Sequence, residues 1–138
     1  MNYNRKKGII GLNHLIHGDH NMHTQIEFMK LVEDFRICRP VLVALGDENR
    51  LHILYQMLLT EEPRGIRVGE IVKRSSLSRP AVSHHMKILK DAGVVGVRKE
   101  GTKNYYYIDP DMKSFKSLIS VLKRSVEYSS ELPYRGEE

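Results

Sequence analysis

Residues 76–95 read SLSRPAVSHHMKILKDAGVV, and they decide the fold. Ser78 is placed to cap a helix in which Pro80 is tolerated, because a first-turn residue needs no amide hydrogen. The helix runs to Ala92, where Gly93 closes it. Val82, Met86 and Leu89 recur at helical spacing, flanked by Ala81, His85 and Ile88, and form a stripe to be buried. The opposite face carries Arg79, Pro80, Ser83, His84 and Lys87. One face is for a core and the other is polar and basic.

Working outward, Gly69–Arg74 gives a short helix with Ile71 and Val72 inside; Ser75 and Ser76 break it, and Leu77 plugs the turn. Downstream, VVGVRKEGTKNYYYI (94–108) changes the period. Two β-rich segments flank a Lys99–Lys103 turn centred on Glu100–Gly101, which predicts a hairpin. Upstream, Thr24 begins a helix with Phe28, Leu31, Val32 and Phe35 at helical spacing, and Pro40 marks its break. Val41–Leu45 reads as a short apolar turn. Asp47 then caps a helix with Leu51, Leu54, Tyr55 and Leu58 on one stripe, and 60–65 is a loop. A last helix starts near Pro110, with Met112, Phe115, Leu118, Ile119, Leu122 and Val126 on one side. The expected fold class is mostly α with a small β-hairpin (α+β): a winged helix-turn-helix.

A chain of 138 residues with 41% hydrophobic residues can bury a core without metal or disulfide staples. The single cysteine, Cys38, excludes an internal disulfide framework and a multi-cysteine metal knuckle within one chain. No apolar run approaches the roughly 20 residues a bilayer span requires, so a cytoplasmic protein without a membrane partner is expected. The net charge is +5, but residues 64–104 hold ten Lys/Arg against three Asp/Glu. That third of the chain carries more than the whole positive excess, the footprint of a surface that meets phosphates.

In this arrangement the second helix of the pair enters a major groove with its N-terminal residues nearest the base edges. Arg79 suits a bidentate contact to guanine, Ser83 and His84 a base edge, and Lys87 a phosphate. Arg98, Lys99 and Lys103 cluster at the hairpin tip, within reach of the next minor groove or its phosphates.

At these residues the chain resembles ArsR-type bacterial transcriptional regulators. LGDENRLHIL (45–54) is similar to the family's second-helix signature, SLSRPAVSHHMKILKDAGVV (76–95) to its recognition-helix block, and KEGTKNYYYI (99–108) to its wing. The resemblance covers roughly residues 24–128. It implies a homodimer paired through the first and last helices, bound to a palindromic site on double-stranded DNA and acting as a repressor released by an inducer. Ser78, Arg79, Ser83, His84 and Lys87 would face DNA, with Lys99 and Lys103 as wing contacts. The expected dimer contacts are Phe28, Val32, Phe35, Phe115, Ile119 and Leu122, apolar residues surplus to a small monomer core. The family's metal sensors carry paired cysteines where this chain has GIRVGEI (65–71), with Arg67 and Gly69 at the thiolate positions. No histidine lies between Asp111 and Glu131, so the second family site is absent too. No cofactor is therefore expected, and the inducer is not identified.

Residues 1–21 are read as a flexible arm, 22–131 as the winged domain with its dimerisation helices, and 132–138 as a frayed tail. His14, His17, His20 and His23 recur every third residue, a spacing that offers zinc, nickel or copper a set of imidazoles on a helix. Gly18, Asp19 and Asn21 oppose that helix, so no metal site is the main expectation, with a metal-responsive repressor the alternative. Met22 is also a candidate start, since Gly18–Asn21 can be encoded with a ribosome-binding GGAG before it. Cys38 is expected to be an inert half-buried thiol, with an intermolecular redox disulfide as its alternative. A winged-helix protein-interaction module without a DNA site is the other functional class. An enzyme is not expected, because no phosphate loop or nucleophile–base pair is present.

Overall fold

A computed structural model describes residues 21–60 and 62–131, with the backbone alone for 21–23. The elements run α1 (Asn21–Ile37), α2 (Arg39–Leu45), α3 (Glu48–Leu59), α4 (Val68–Lys73), α5 (Arg79–Asp91), β1 (Val95–Glu100), β2 (Lys103–Ile108) and α6 (Lys113–Ser130). Residues 1–20 of the proposed arm and the whole tail, with His14, His17 and His20 and the side chain of His23, lie outside the described residues, while Asn21, expected in the arm and against a helix, opens α1.

Pro40 does end the first helix, but Val41–Leu45 is no turn. Pro40 sits in the first turn of α2, where its ring needs no partner, so one proline ends a helix and opens the next. The α3 stripe also differs from the expected one. Arg50, Ile53, Leu54 and Met57 are buried, while Tyr55 and Leu58 stand exposed. The helix is turned by about one position because Arg50 goes inward, its guanidinium held by carbonyl oxygens of α2.

The core is aliphatic. Ile53, Ile71, Val82, Met86, Leu89 and Val94 lose all contact with solvent, so each of the three central helices and the start of the hairpin contributes. Helix α5 ends in a Schellman motif: the Gly93 amide donates to Lys90 O and the Val94 amide to Leu89 O. Gly93 has φ +72°, and a Cβ there would stand 2.6 Å from Ser114 Oγ. That hydroxyl donates to Ala92 O at 2.8 Å, tying the start of α6 to the end of α5.

Strands β1 and β2 pair antiparallel from Val95–Ile108 to Glu100–Lys103. The loop is therefore Gly101–Thr102, one position beyond the expected centre. Gly101 alone has positive φ, the requirement of a type II′ hairpin turn. Ile66, just after the stretch read as a loop, adds a third edge by exchanging both backbone hydrogen bonds with Tyr106 at 2.8 Å. Helix α6 begins at Lys113, after Met112 takes a left-handed conformation, rather than near Pro110.

Helices α1 and α6 pack together, Phe28 against the Tyr128 ring (centroids 5.1 Å apart) and Asp34 paired with Arg124 at 2.7 Å. Of the residues expected at a dimer contact, Phe28, Phe35 and Phe115 are half-buried, and the last two pack on the monomer core. Val32, Ile119 and Leu122 are exposed. Cys38, at the corner between α1 and α2, is buried with the core rather than half-buried.

Candidate nucleic-acid interface

Helix α5 is positioned by its own apolar stripe. With Val82, Met86 and Leu89 inside, the helical period turns Ser78, Arg79, Pro80, Ser83, His84 and Lys87 outward, and all six are exposed. The N-terminal end is fixed by Ser78, whose Oγ accepts the Ala81 amide at 3.3 Å. Arg79 lies back over the preceding short helix; its Nη1 is 3.5 Å from where a Cβ would stand on Gly69. Gly69 stands at one of the positions that carry thiolates in the metal-sensing pattern. The other, Arg67, caps α4: its backbone amide donates to Glu70 Oε2 at 3.2 Å.

Lys87 is one turn before Asp91 and bonded to it. The Lys87 ammonium, opposed by partial desolvation and aided by Lys90, holds the Asp91 carboxyl below its ordinary value. A phosphate oxygen at Lys87 would compete with that carboxylate.

The three wing cations do not share one face. Side chains alternate along a strand, so the register puts Arg98 with Tyr105, and Lys103 with Glu100, on one side. Lys99 and Asn104 are paired on the other. Arg98 is spent within the fold. Its Nε donates to Glu100 at 3.0 Å, its Nη2 to Arg64 O at 2.9 Å, and its guanidinium lies 5.4 Å from the Tyr105 ring centre. Lys99 and Lys103 are exposed at the tip.

Two polar residues beneath this surface escaped the sequence reading in part. His85, turned in from α5, was placed within the motif, but its partner Arg50 was not seen. The clue available was an arginine three residues after a capping aspartate, at the spacing of Ile53, Leu54 and Met57.

Comparison with known proteins bears on the same region. The sequence profile of the bacterial regulatory protein, arsR family, matches residues 47–97. An uncharacterized HTH-type transcriptional regulator of Methanocaldococcus jannaschii, MJ1325, is 38% identical over 92 residues, 66% of this chain and 100% of the relative. The chain belongs to the arsR family. It is accordingly a DNA-binding winged-helix transcriptional regulator and not an enzyme. A second relative, HTH-type transcriptional regulator Rv2034 of Mycobacterium tuberculosis, is 47% identical over 67 residues, 49% of this chain and 59% of its own length. The fold matches the crystal structure of the ArsR family transcriptional regulator RHA00566 at a TM-score of 0.57 and 22% identity, covering 69% of this chain and 92% of that one. No helix among the described residues is long and apolar enough to cross a membrane.

Proposed function

We propose that this arsR-family regulator is a dimeric repressor that reads a palindromic DNA site with α5 and grips flanking phosphates with its wing. The observation that carries the reading is the division of α5: a fully buried apolar stripe on one side, and Arg79, Ser83, His84 and Lys87 exposed on the other. A helix so divided presents base-reading groups in a fixed orientation. Lys99 and Lys103 at the wing tip supply charge that reads no sequence. Two copies related by a two-fold axis would read half-sites about one helical turn, roughly 34 Å, apart. Occupying a site that overlaps a promoter excludes polymerase by volume alone, so repression needs no part beyond this interface.

The test is fluorescence anisotropy on a duplex selected by the protein from a randomised library, against random duplex, over a salt series. Salt-steep binding that resists random competitor is expected. Arg79→Ala should weaken the selected duplex by about 1–3 kcal/mol and random duplex little. Lys103→Ala should weaken both alike and flatten the salt dependence. Equal loss on both duplexes for Arg79→Ala would remove it from base reading. Transcription in vitro from a promoter carrying the selected site should fall when protein is added; a rise would overturn the repressor assignment.

A further inference from the structure

Arg50 is buried, and its guanidinium reaches two helices besides its own. Nε donates to Ala44 O at 2.7 Å and Nη2 to Val43 O at 2.8 Å. Both carbonyls belong to the last turn of α2, where no intrahelical donor remains for them. The other edge faces the recognition helix, with Nη1 3.4 Å from His85 Nδ1. Asp47, the α3 cap, stands 3.9 Å from Nη1 and 4.0 Å from the same imidazole nitrogen.

We infer that Arg50 and His85 are positioning residues for DNA recognition, fixing the rotation of α5 against the end of α2. The inference rests on the reading of the exposed α5 face as the base-reading surface. Apolar burial of Val82, Met86 and Leu89 holds α5 down, but the hydrophobic effect has no direction. A helix seated only on such a stripe can rotate by a few degrees at little cost. The contact at His85 is directional, and His85 follows immediately on Ser83 and His84. A rotation at 85 is therefore a displacement of those two side chains at the base edges.

The chemistry of the pair sets its polarity. A guanidinium has donors and no acceptor, so Nδ1 must present its lone pair and the imidazole proton sits on Nε2. The remaining Arg50 contacts stay within the α2–α3 corner. Among the hydrogen bonds of Arg50 to described residues, the one to His85 reaches α5, 35 positions along the chain.

The experiment uses the full chain, a duplex selected by the wild type from a randomised library, and a random duplex, read by fluorescence anisotropy. His85→Leu removes the acceptor. It should lower the ratio of selected to random affinity about tenfold, the effect of one hydrogen bond to a charged group, and leave random affinity unchanged. His85→Asn, whose Oδ1 stands near the place of Nδ1, should restore most of the ratio. Arg50→Lys cannot bridge the carbonyls and the imidazole together and should match His85→Leu, with no further loss in the double variant. If Arg50→Lys does not fold, the two His85 variants decide alone. A selective wild type whose His85→Leu variant keeps the full ratio, or whose His85→Asn variant rescues nothing, overturns the inference and leaves the function standing. A wild type with no preference overturns both.

Discussion

The Asp47 carboxylate accepts the Arg50 amide at 3.0 Å and thereby supplies a partner to one of the unpaired donors that open α3. That bond is the main reason its carboxyl is held below the ordinary value. Partial burial opposes it, and the charge of Arg50 and a hydrogen bond from the Asn49 amide add to the lowering. A carboxyl whose pKa is depressed on folding contributes stability that is present above its unfolded pKa, about 3.9, and lost as pH falls through the folded value. Urea-unfolding midpoints measured from pH 7 to pH 2.5 should therefore fall on the acid side. Asp47→Asn keeps a good cap but has no proton to bind, so it should stay close to the wild type at pH 7 and show a shallower acid limb. An unchanged limb would mean that other carboxylates carry the acid sensitivity. The cap itself was legible in the sequence, as was Ser78, because capping is settled within four residues of chain. The inward turn of Arg50 was not legible: it depends on carbonyls left over at the end of α2, a helix that the sequence reading took for a turn.

Among the elements, local signals succeeded where one face decided the matter. Helix α5 could be read whole because its cap, its stripe and its closing glycine agree. The wing was read as a hairpin for the same reason, yet its turn lies one residue on, at Gly101–Thr102, because only glycine meets the positive φ of the first loop position. That shift sets the cross-strand partners, Arg98 with Tyr105 and Lys103 with Glu100, while strand alternation keeps Lys99 on the other face. The third edge of the wing, at Ile66, is a pairing across forty positions and leaves no periodic trace. Gly65, just before it, has φ +88°, and a Cβ there would fall 2.5 Å from Tyr106 O. Gly65→Ala must give up either the conformation or the pairing. A loss of about 1–3 kcal/mol, the scale of a strained backbone, is expected in denaturant unfolding. Amide exchange should speed up at Ile66 and Tyr106 and stay slow along α5. Equal acceleration in α5 would show that the wing edge and the helical core open as one unit.

At the scale of the molecule, the question is what covers the apolar surface that α1 and α6 leave outside. Ile119 is 63% exposed and Val126 70%, and Ile26, Met29, Val32 and Leu122 are exposed as well. On α6 the exposed set, 119, 122 and 126, follows the helical period alongside the buried Leu118 and Val121. This helix thus carries two apolar stripes, one turned into its own core and one turned out. A repressor that reads a two-fold site needs a second copy, and a self-complementary patch is what a two-fold interface requires. Of the phenylalanines expected there, Phe35 and Phe115 also pack against the monomer core. Removing them would unfold the subunit rather than separate two subunits, so the test belongs on the outer stripe. Ile119→Asp with Leu122→Asp should shift the sedimentation coefficient from dimer to monomer at micromolar concentration while the helical circular dichroism stays near wild type. Binding to a full palindrome should then fall to the level of a single half-site, with the salt dependence roughly halved, because half of the phosphate contacts are gone. If the double variant stays dimeric, the outer stripe of α6 is not the seam. If it becomes a monomer yet binds the palindrome as before, one copy of α5 and its wing suffices, and the two-fold reading falls.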